Sequence, residues 1–192
     1  VKTLWFIRHG ETDWNREGRL QGQRDIPLND LGRAQAAEAG RRLMAARPDS
    51  GRLPWHVSPL GRTMETAILA RTAIGLEPLG FLTDERLKEL TFGRWEGNTW
   101  HDLKKRERDL ARARKADKWN FVPPGGESYA LLARRIEPWL AEMPDEAVIV
   151  SHGGVARVLL TMMGGVPKAE APFQDIRQGE ILCLNMGSHA WI

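Results

Sequence analysis

Cysteine is almost missing from these 192 residues: Cys183 stands alone. That excludes an intrachain disulfide framework and a zinc site built from several cysteines, and it suits a reducing compartment. Long apolar runs are missing as well. The opening Val1-Lys2-Thr3-Leu4-Trp5-Phe6-Ile7 meets Arg8 before a signal-length stretch develops. Nothing elsewhere approaches the roughly 20 apolar residues of a bilayer span. The chain therefore reads as cytoplasmic, without a membrane partner. Internal repeats and low-complexity tracts are absent, and neither sign of charge dominates. Twenty-eight basic against 25 acidic side chains leave a net charge of +3, which favours anionic small molecules without calling for nucleic acid. With 42% hydrophobic and 28% charged residues, wholesale disorder is excluded and one ordinary globular domain over residues 1–192 is expected.

Short apolar runs alternate with helical patterns, the signature of α/β architecture. Thr3–Ile7 and Val148–Ser151 read as buried strands, with Trp55–Ser58, Leu79–Thr83 and Ile181–Asn185 as weaker strand patterns. Asn29 is placed to cap a helix through Ala34, Ala37 and Leu43. Ser58-Pro59 reads as an N-cap followed by proline at the first helical position, with Gly75 closing that helix. Ser128 starts another helix striped by Leu132, Ile136, Leu140 and Met143; Pro138 inside it predicts a kink or a break. A last helix runs from Gly153-Gly154 to Met163.

The stretch Thr99–Lys118 is of a different kind. Eight of the fifteen residues from Lys104 to Lys118 are Lys or Arg and three are acidic, so it reads as a helical excursion over the surface. A solvated helix face is its plainest meaning, and steering of anionic substrates the next. Nucleic-acid binding comes third, because no base-stacking aromatics are interleaved.

Two histidines occupy equivalent places. Arg8-His9-Gly10-Glu11-Thr12 follows the first strand and Ser151-His152-Gly153-Gly154 the later one. Ligands collect outside the carboxyl ends of parallel strands, so both histidines project to one rim, with glycine beside each to admit a ligand. Arg62, in the first turn of a helix after a strand, aims a guanidinium at the same rim beside a helix N-terminus, and Arg8 adds a second fork. A carboxyl is expected in Leu87–Gly97, where Phe92 and Trp95 are placed to shield it from water. The residues themselves do not separate Glu89 from Glu85 or Glu96. Of the tryptophans near the site (Trp14, Trp95, Trp100 and Trp119), packing is the first reading, with Trp95 the best candidate for a pocket wall. His56, His101 and His189 read as ordinary polar residues, and no histidine–carboxylate spacing resembles a metal site.

The ordered set of these blocks resembles the histidine phosphatase superfamily, also called phosphoglycerate-mutase-like. Arg8-His9-Gly10-Glu11-Thr12 with Trp14-Asn15 matches its R-H-G-E-T signature. Gly18-Arg19-Leu20-Gln21-Gly22 follows, and Ser58–Ala67 is similar to the S-x-L-x-R-x-x-x-T-A block. Leu87-Lys88-Glu89 with Phe92–Gly97, then Pro123–Ser128, then Ser151–Gly154, complete the order. The resemblance implies a single-domain, three-layer α/β/α fold around a mostly parallel, mixed sheet, with a helical insertion near 99–127 inside a lid at about 90–128.

It also implies roles. His9 becomes the nucleophile that forms a phosphohistidine, and Glu89 the proton donor and acceptor. Arg8, Arg62 and His152 bind the phosphoryl oxygens, helped by backbone donors at Gly153-Gly154. Asn15 adds a polar contact, while Gln21, Gly22, Glu127 and Ser128 lie nearer the rest of the substrate. No metal and no cofactor is called for, and the partner is a small phosphomonoester. Oligomeric state is left open, a homodimer included. Mutases of the family carry a longer chain and E-R-H-Y-G at the acid block; Glu89-Leu90-Thr91-Phe92-Gly93 is closer to the phosphatase branch, which includes alpha-ribazole phosphatase. Hydrolysis is thus the first expectation, a cofactor-dependent phosphoglycerate mutase the alternative, and a non-catalytic phospho-ligand module the third.

Overall fold

A computed structural model describes residues 2–192. Six strands form one sheet in the order β3-β2-β4-β1-β5-β6. They are β1 (Thr3–Arg8), β2 (Trp55–Val57), β3 (Leu82–Thr83), β4 (Glu146–Ser151), β5 (Ile181–Asn185) and β6 (Ser188–Trp191). β1, β2, β3 and β4 run parallel, whereas β5 joins β1 antiparallel and turns back as β6. The expected mixed sheet is therefore present.

Side-chain alternation along β1 explains the three layers. Leu4 and Phe6 join one core with Leu132, Ile136 and Trp139 of α6 (Tyr129–Glu142) and with Val155 and Leu159 of α7 (Gly153–Met162). Trp5 and Ile7 face the other way, against Leu43 of α2 (Asp30–Ala46) and Ala67 and Ala70 of α3 (Gly61–Ala73). A strand buried on both faces needs apolar residues at every position, which is why β1 and β4 read as uninterrupted runs. A short α1 (Asp13–Arg16), closed by a Thr12–Asn15 capping box, lies between β1 and α2.

Several local expectations are corrected. Ser58 caps nothing: α3 starts at Gly61 after Leu60, without a side-chain cap, although Gly75 does close it with φ +72°. The strand expected over Leu79–Thr83 shrinks to Leu82–Thr83. α6 runs unbroken through Pro138, which sits on its exposed face, while Leu132, Ile136 and Trp139 are buried on the other. The excursion divides into α4 (Trp100–Arg106) and α5 (Arg108–Ala116), and α5 buries no residue at all. No helix among the described residues is long and apolar enough to cross a membrane.

Proline inside a helix removes one backbone hydrogen bond and costs up to about 3 kcal/mol relative to alanine. Pro138 touches solvent, so nothing in the packing offsets that cost. Pro138→Ala is expected to raise the unfolding free energy by about 1–3 kcal/mol in urea titrations; an unchanged or lower value contradicts this reading of α6.

Candidate active site

Parallel pairing puts the site together. Arg8 lies opposite Ser151 in the β1–β4 register, and the His9 N–H donates to Ser151 O at 3.0 Å. The residues that follow the two strands, His9 and His152, therefore leave the sheet side by side, ring centroids 5.3 Å apart. α3 brings Arg62 from the neighbouring strand β2, and the N-terminus of α7 closes the rim. A cleft of about 150 Å³ opens there, lined by Arg8, His9, Asn15, Gln21, Gly22, Arg62, Glu89 and Gly153 among others.

His9 is 3% exposed. Its Nδ1 stands 2.8 Å from Gly10 O. A carbonyl only accepts, so Nδ1 carries the proton and Nε2 keeps its lone pair. Burial, with the Arg62 and Arg8 charges beside it, pushes the ring well below the ordinary histidine pKa, and the imidazole is neutral at neutral pH.

The two arginines are anchored by backbone and offered to the cleft. Arg62, 1% exposed, donates Nη1 to Arg24 O (2.6 Å) and Nη2 to Gly22 O (2.8 Å). Arg8 donates Nη1 to Ile176 O at 2.6 Å. Both Nε–H groups are buried with no protein partner. Burial, then the Arg157 charge, lowers the Arg8 pKa to about 10, and burial also lowers Arg62. Both therefore remain charged at neutral pH, and a buried unpartnered N–H on a cation is costly until an anion meets it.

Glu89 is separated from its rivals by geometry. Its Oε2 accepts from the Gly154 N–H and its Oε1 from the Leu90 N–H, both at 3.0 Å, which seats the carboxylate on the N-terminus of α7. Only a glycine at 154 permits this, because a Cβ there would collide with Glu89 Oε1. Glu85 is surface-exposed and pairs with Lys88. Glu96 is a clamp: it accepts from Gln23 N (3.1 Å), Thr91 Oγ1 (2.8 Å) and Phe92 N (3.2 Å). It also crowds the loop at Gly22, whose φ of +53° and lack of a Cβ the turn requires.

Other residues fall in less expected places. His152 is fully buried behind Arg62 and does not line the cleft. Its Nδ1 lies 3.3 Å from Arg62 Nη2, which only donates, so Nε2 carries the proton and donates to Ser58 Oγ at 2.7 Å. That is what Ser58 does instead of capping. Asn15 Oδ1 accepts from Thr12 N and Gln178 Nε2, and Gln21 Oε1 accepts from the Thr12 hydroxyl. Gly153 lines the cleft, but the Gly154 N–H is already taken by Glu89. The cleft does not include Glu127 or Ser128. Glu127 pairs with Arg135 at 2.8 and 3.1 Å, and Ser128 Oγ caps α6. Trp95 forms no pocket wall: it is fully buried, stacked on Phe121 and edge-on to Trp100, while Phe92 does reach the cleft.

Three positions at the cleft escaped the sequence reading. Arg157 lines the cleft four residues after Gly153, a spacing that puts both on one face of α7 and was available as a signal. Arg19 lines it too. Gln178, which donates to His9 O at 3.0 Å, comes from a loop without periodicity and had no signal.

The family model described as histidine phosphatase superfamily (branch 1) matches residues 4–192. A protein named "Probable phosphoglycerate mutase GpmB", from Salmonella paratyphi C, is 34% identical over 98% of this chain and 87% of its own. The glucosyl-3-phosphoglycerate phosphatase of Mycolicibacterium vanbaalenii is 30% identical, covering 100% of this chain and 83% of its own. Among solved structures, a phosphoglycerate mutase from Thermus thermophilus superposes with a TM-score of 0.71 at 35% identity, covering 94% of this chain and 91% of that one. A candidate alpha-ribazole-5'-P phosphatase from Escherichia coli shares the fold with a TM-score of 0.79 at 24% identity, over 100% and 95%.

Both imidazoles are held below their ordinary pKa, His152 by burial and the Arg62 charge. Below about pH 6.5 the unfolded chain takes up protons that the folded chain refuses, so stability is full above that pH and falls as pH drops. Unfolding free energies from urea titrations between pH 6.5 and 5.0 should decline, by up to about 1.4 kcal/mol per pH unit for each ring. In the double variant His9→Asn, His152→Gln the dependence should be flatter; an equal slope refutes the assignment.

Proposed function

This chain belongs to the histidine phosphatase superfamily, and on that premise we propose that it is a metal-independent phosphomonoester hydrolase working through a phosphohistidine. The observation that carries the reading is the neutral His9 with its Nε2 lone pair, set between two buried guanidiniums whose Nε–H groups lack partners.

The substrate phosphoryl group settles between Arg8 and Arg62, whose charges meet its equatorial oxygens in place of metal ions. The Gly153 N–H at the start of α7 and the Asn15 amide add donors. His9 Nε2 attacks phosphorus and the P–O bond to the leaving group breaks. Glu89, protonated in the complex beside the phosphoryl anion, gives its proton to the departing oxygen, leaving a neutral alcohol and a carboxylate. Water then enters, Glu89 takes its proton, the hydroxide oxygen bonds to phosphorus and the P–N bond breaks, returning His9 with its lone pair. His152 is a positioning residue here: through Ser58 behind it and Arg62 in front, it fixes the guanidinium rather than touching the phosphoryl group.

A phosphoglycerate mutase is the second reading, favoured by the names of the GpmB relative and the Thermus thermophilus structure. The acid block Glu89-Leu90-Thr91-Phe92-Gly93 supports hydrolysis instead, as does the name of the mycobacterial relative.

Phosphate release from p-nitrophenyl phosphate is expected to persist in EDTA and to drop by at least about 10³-fold in His9→Ala. Loss on chelation with recovery on adding a divalent metal overturns the mechanism. Trapped phosphate should be acid-labile and alkali-stable. With 3-phosphoglycerate and a bisphosphorylated primer, phosphate should appear faster than 2-phosphoglycerate; the reverse order assigns a mutase. Gly154→Ala, which displaces the Glu89 carboxylate, should lower kcat by about 10–100-fold, and normal kcat would remove Glu89 from proton transfer.

A further inference from the structure

A phosphoryl group presents three equatorial oxygens, and His152 does not reach into the cleft to meet one. Its Nδ1 lies against Arg62 Nη2 and its Nε2 donates to Ser58 Oγ, so both ring nitrogens are engaged behind the wall. Arg157 stands in the cleft instead, one turn of α7 after Gly153. No carboxylate pairs with it among the described residues.

One short stretch of chain aims two guanidiniums. Arg157 Nε donates to Gln174 O at 3.0 Å, and Arg8 Nη1 donates to Ile176 O at 2.6 Å. With those atoms engaged, Arg157 Nη1 and Arg8 Nε both approach the space above Gly153. A Cβ added at Gly153 would lie 3.2 Å from the first and 3.7 Å from the second. The φ of Gly153 is not positive, so its backbone does not demand glycine. What the missing side chain keeps open is the gap beside the two cations, just as Gly154 clears room for the Glu89 carboxylate. Arg8 Nε is buried at this gap with no protein partner. Burial and the Arg157 charge together lower the Arg8 pKa to about 10, a repulsion that an anion seated between them reverses. Arg19, at the rim, is already paired with Glu17. Arg8, Arg62 and Arg157 then face one carboxylate, Glu89, and the excess of two positive charges matches a phosphomonoester dianion.

We propose that Arg157 is a third phosphoryl-binding arginine, which shares one equatorial oxygen with Arg8 Nε and the Gly153 N–H. It deepens the hydrolase reading and rests on it for the identity of the bound group. The competing role is a strut: through Gln174 alone, Arg157 would only hold the last loop in place.

Inorganic phosphate and orthovanadate carry the oxygens and nothing beyond them, so they isolate contacts to the phosphoryl group. Titrated calorimetrically into the full chain, both should bind at least about tenfold more weakly to Arg157→Gln. The kcat for p-nitrophenyl phosphate should fall by about 10²-fold. Arg41→Gln, which removes an exposed charge on α2, should change neither. In Arg157→Ala, millimolar guanidinium should restore vanadate affinity saturably, and urea at the same concentration should not; a lost strut predicts no such rescue. Unchanged phosphate and vanadate affinity in Arg157→Gln overturns the proposal. So does a loss confined to p-nitrophenyl phosphate, or one that guanidinium fails to restore. If the Arg157 variants do not fold, Gly153→Ala carries the test, because its methyl enters the gap beside both guanidiniums. It should weaken both anions, and normal affinity overturns the proposal. Anion binding that depends on Arg157 in a chain that never turns over p-nitrophenyl phosphate strikes the hydrolase reading alone.

Discussion

Two guanidiniums buried without a carboxylate dictate much of this structure. A charge taken out of water must be paid for by other contacts, and here backbone carbonyls do it: Ile176 for Arg8, Gly22 and Arg24 for Arg62. Each carbonyl belongs to a loop that has to be held still. Glu96 accordingly pins the Gly22 turn to the acid block, and Gln178 ties the last loop to His9 and Asn15. Burial, with the same charges beside it, holds both imidazoles below the ordinary histidine pKa.

Glu89 obeys the opposite rule. The single carboxylate in the cleft is held by backbone N–H groups instead of by either arginine. Were it paired with Arg8 or Arg62, it would take up N–H donors and offset positive charge that a phosphoryl group could otherwise use. Separation of the acid from the cations by a helix terminus is what lets one small cleft contain both.

Legibility in the sequence followed locality. His9, His152 and Arg62 could be placed because each stands at the end of an apolar run or the start of a periodic one. The strands β1 and β4 announced themselves through continuous burial. Ser58-Pro59 misled because its capping propensity is local, whereas the hydrogen bond to His152 spans 94 residues. Pro138 misled in the other direction: the stripe of Leu132, Ile136 and Trp139 outweighs one lost backbone bond on a wet face. β6 was silent, since Ser188–Trp191 lies mostly exposed and forms by pairing with β5 across the Gly187 turn. The choice among Glu85, Glu89 and Glu96 was open to resemblance alone until the backbone partners of each could be seen.

The anchoring of Arg8 and His9 by Ile176 and Gln178 spans 168 and 169 residues of chain. On a ribosome adding about 5–20 residues per second, those partners follow on the order of ten to thirty seconds behind. Throughout that interval the nascent β1 carries its arginine and histidine with no loop to fix either. The cradle is therefore complete only once the segment carrying Ile176 and Gln178 has docked.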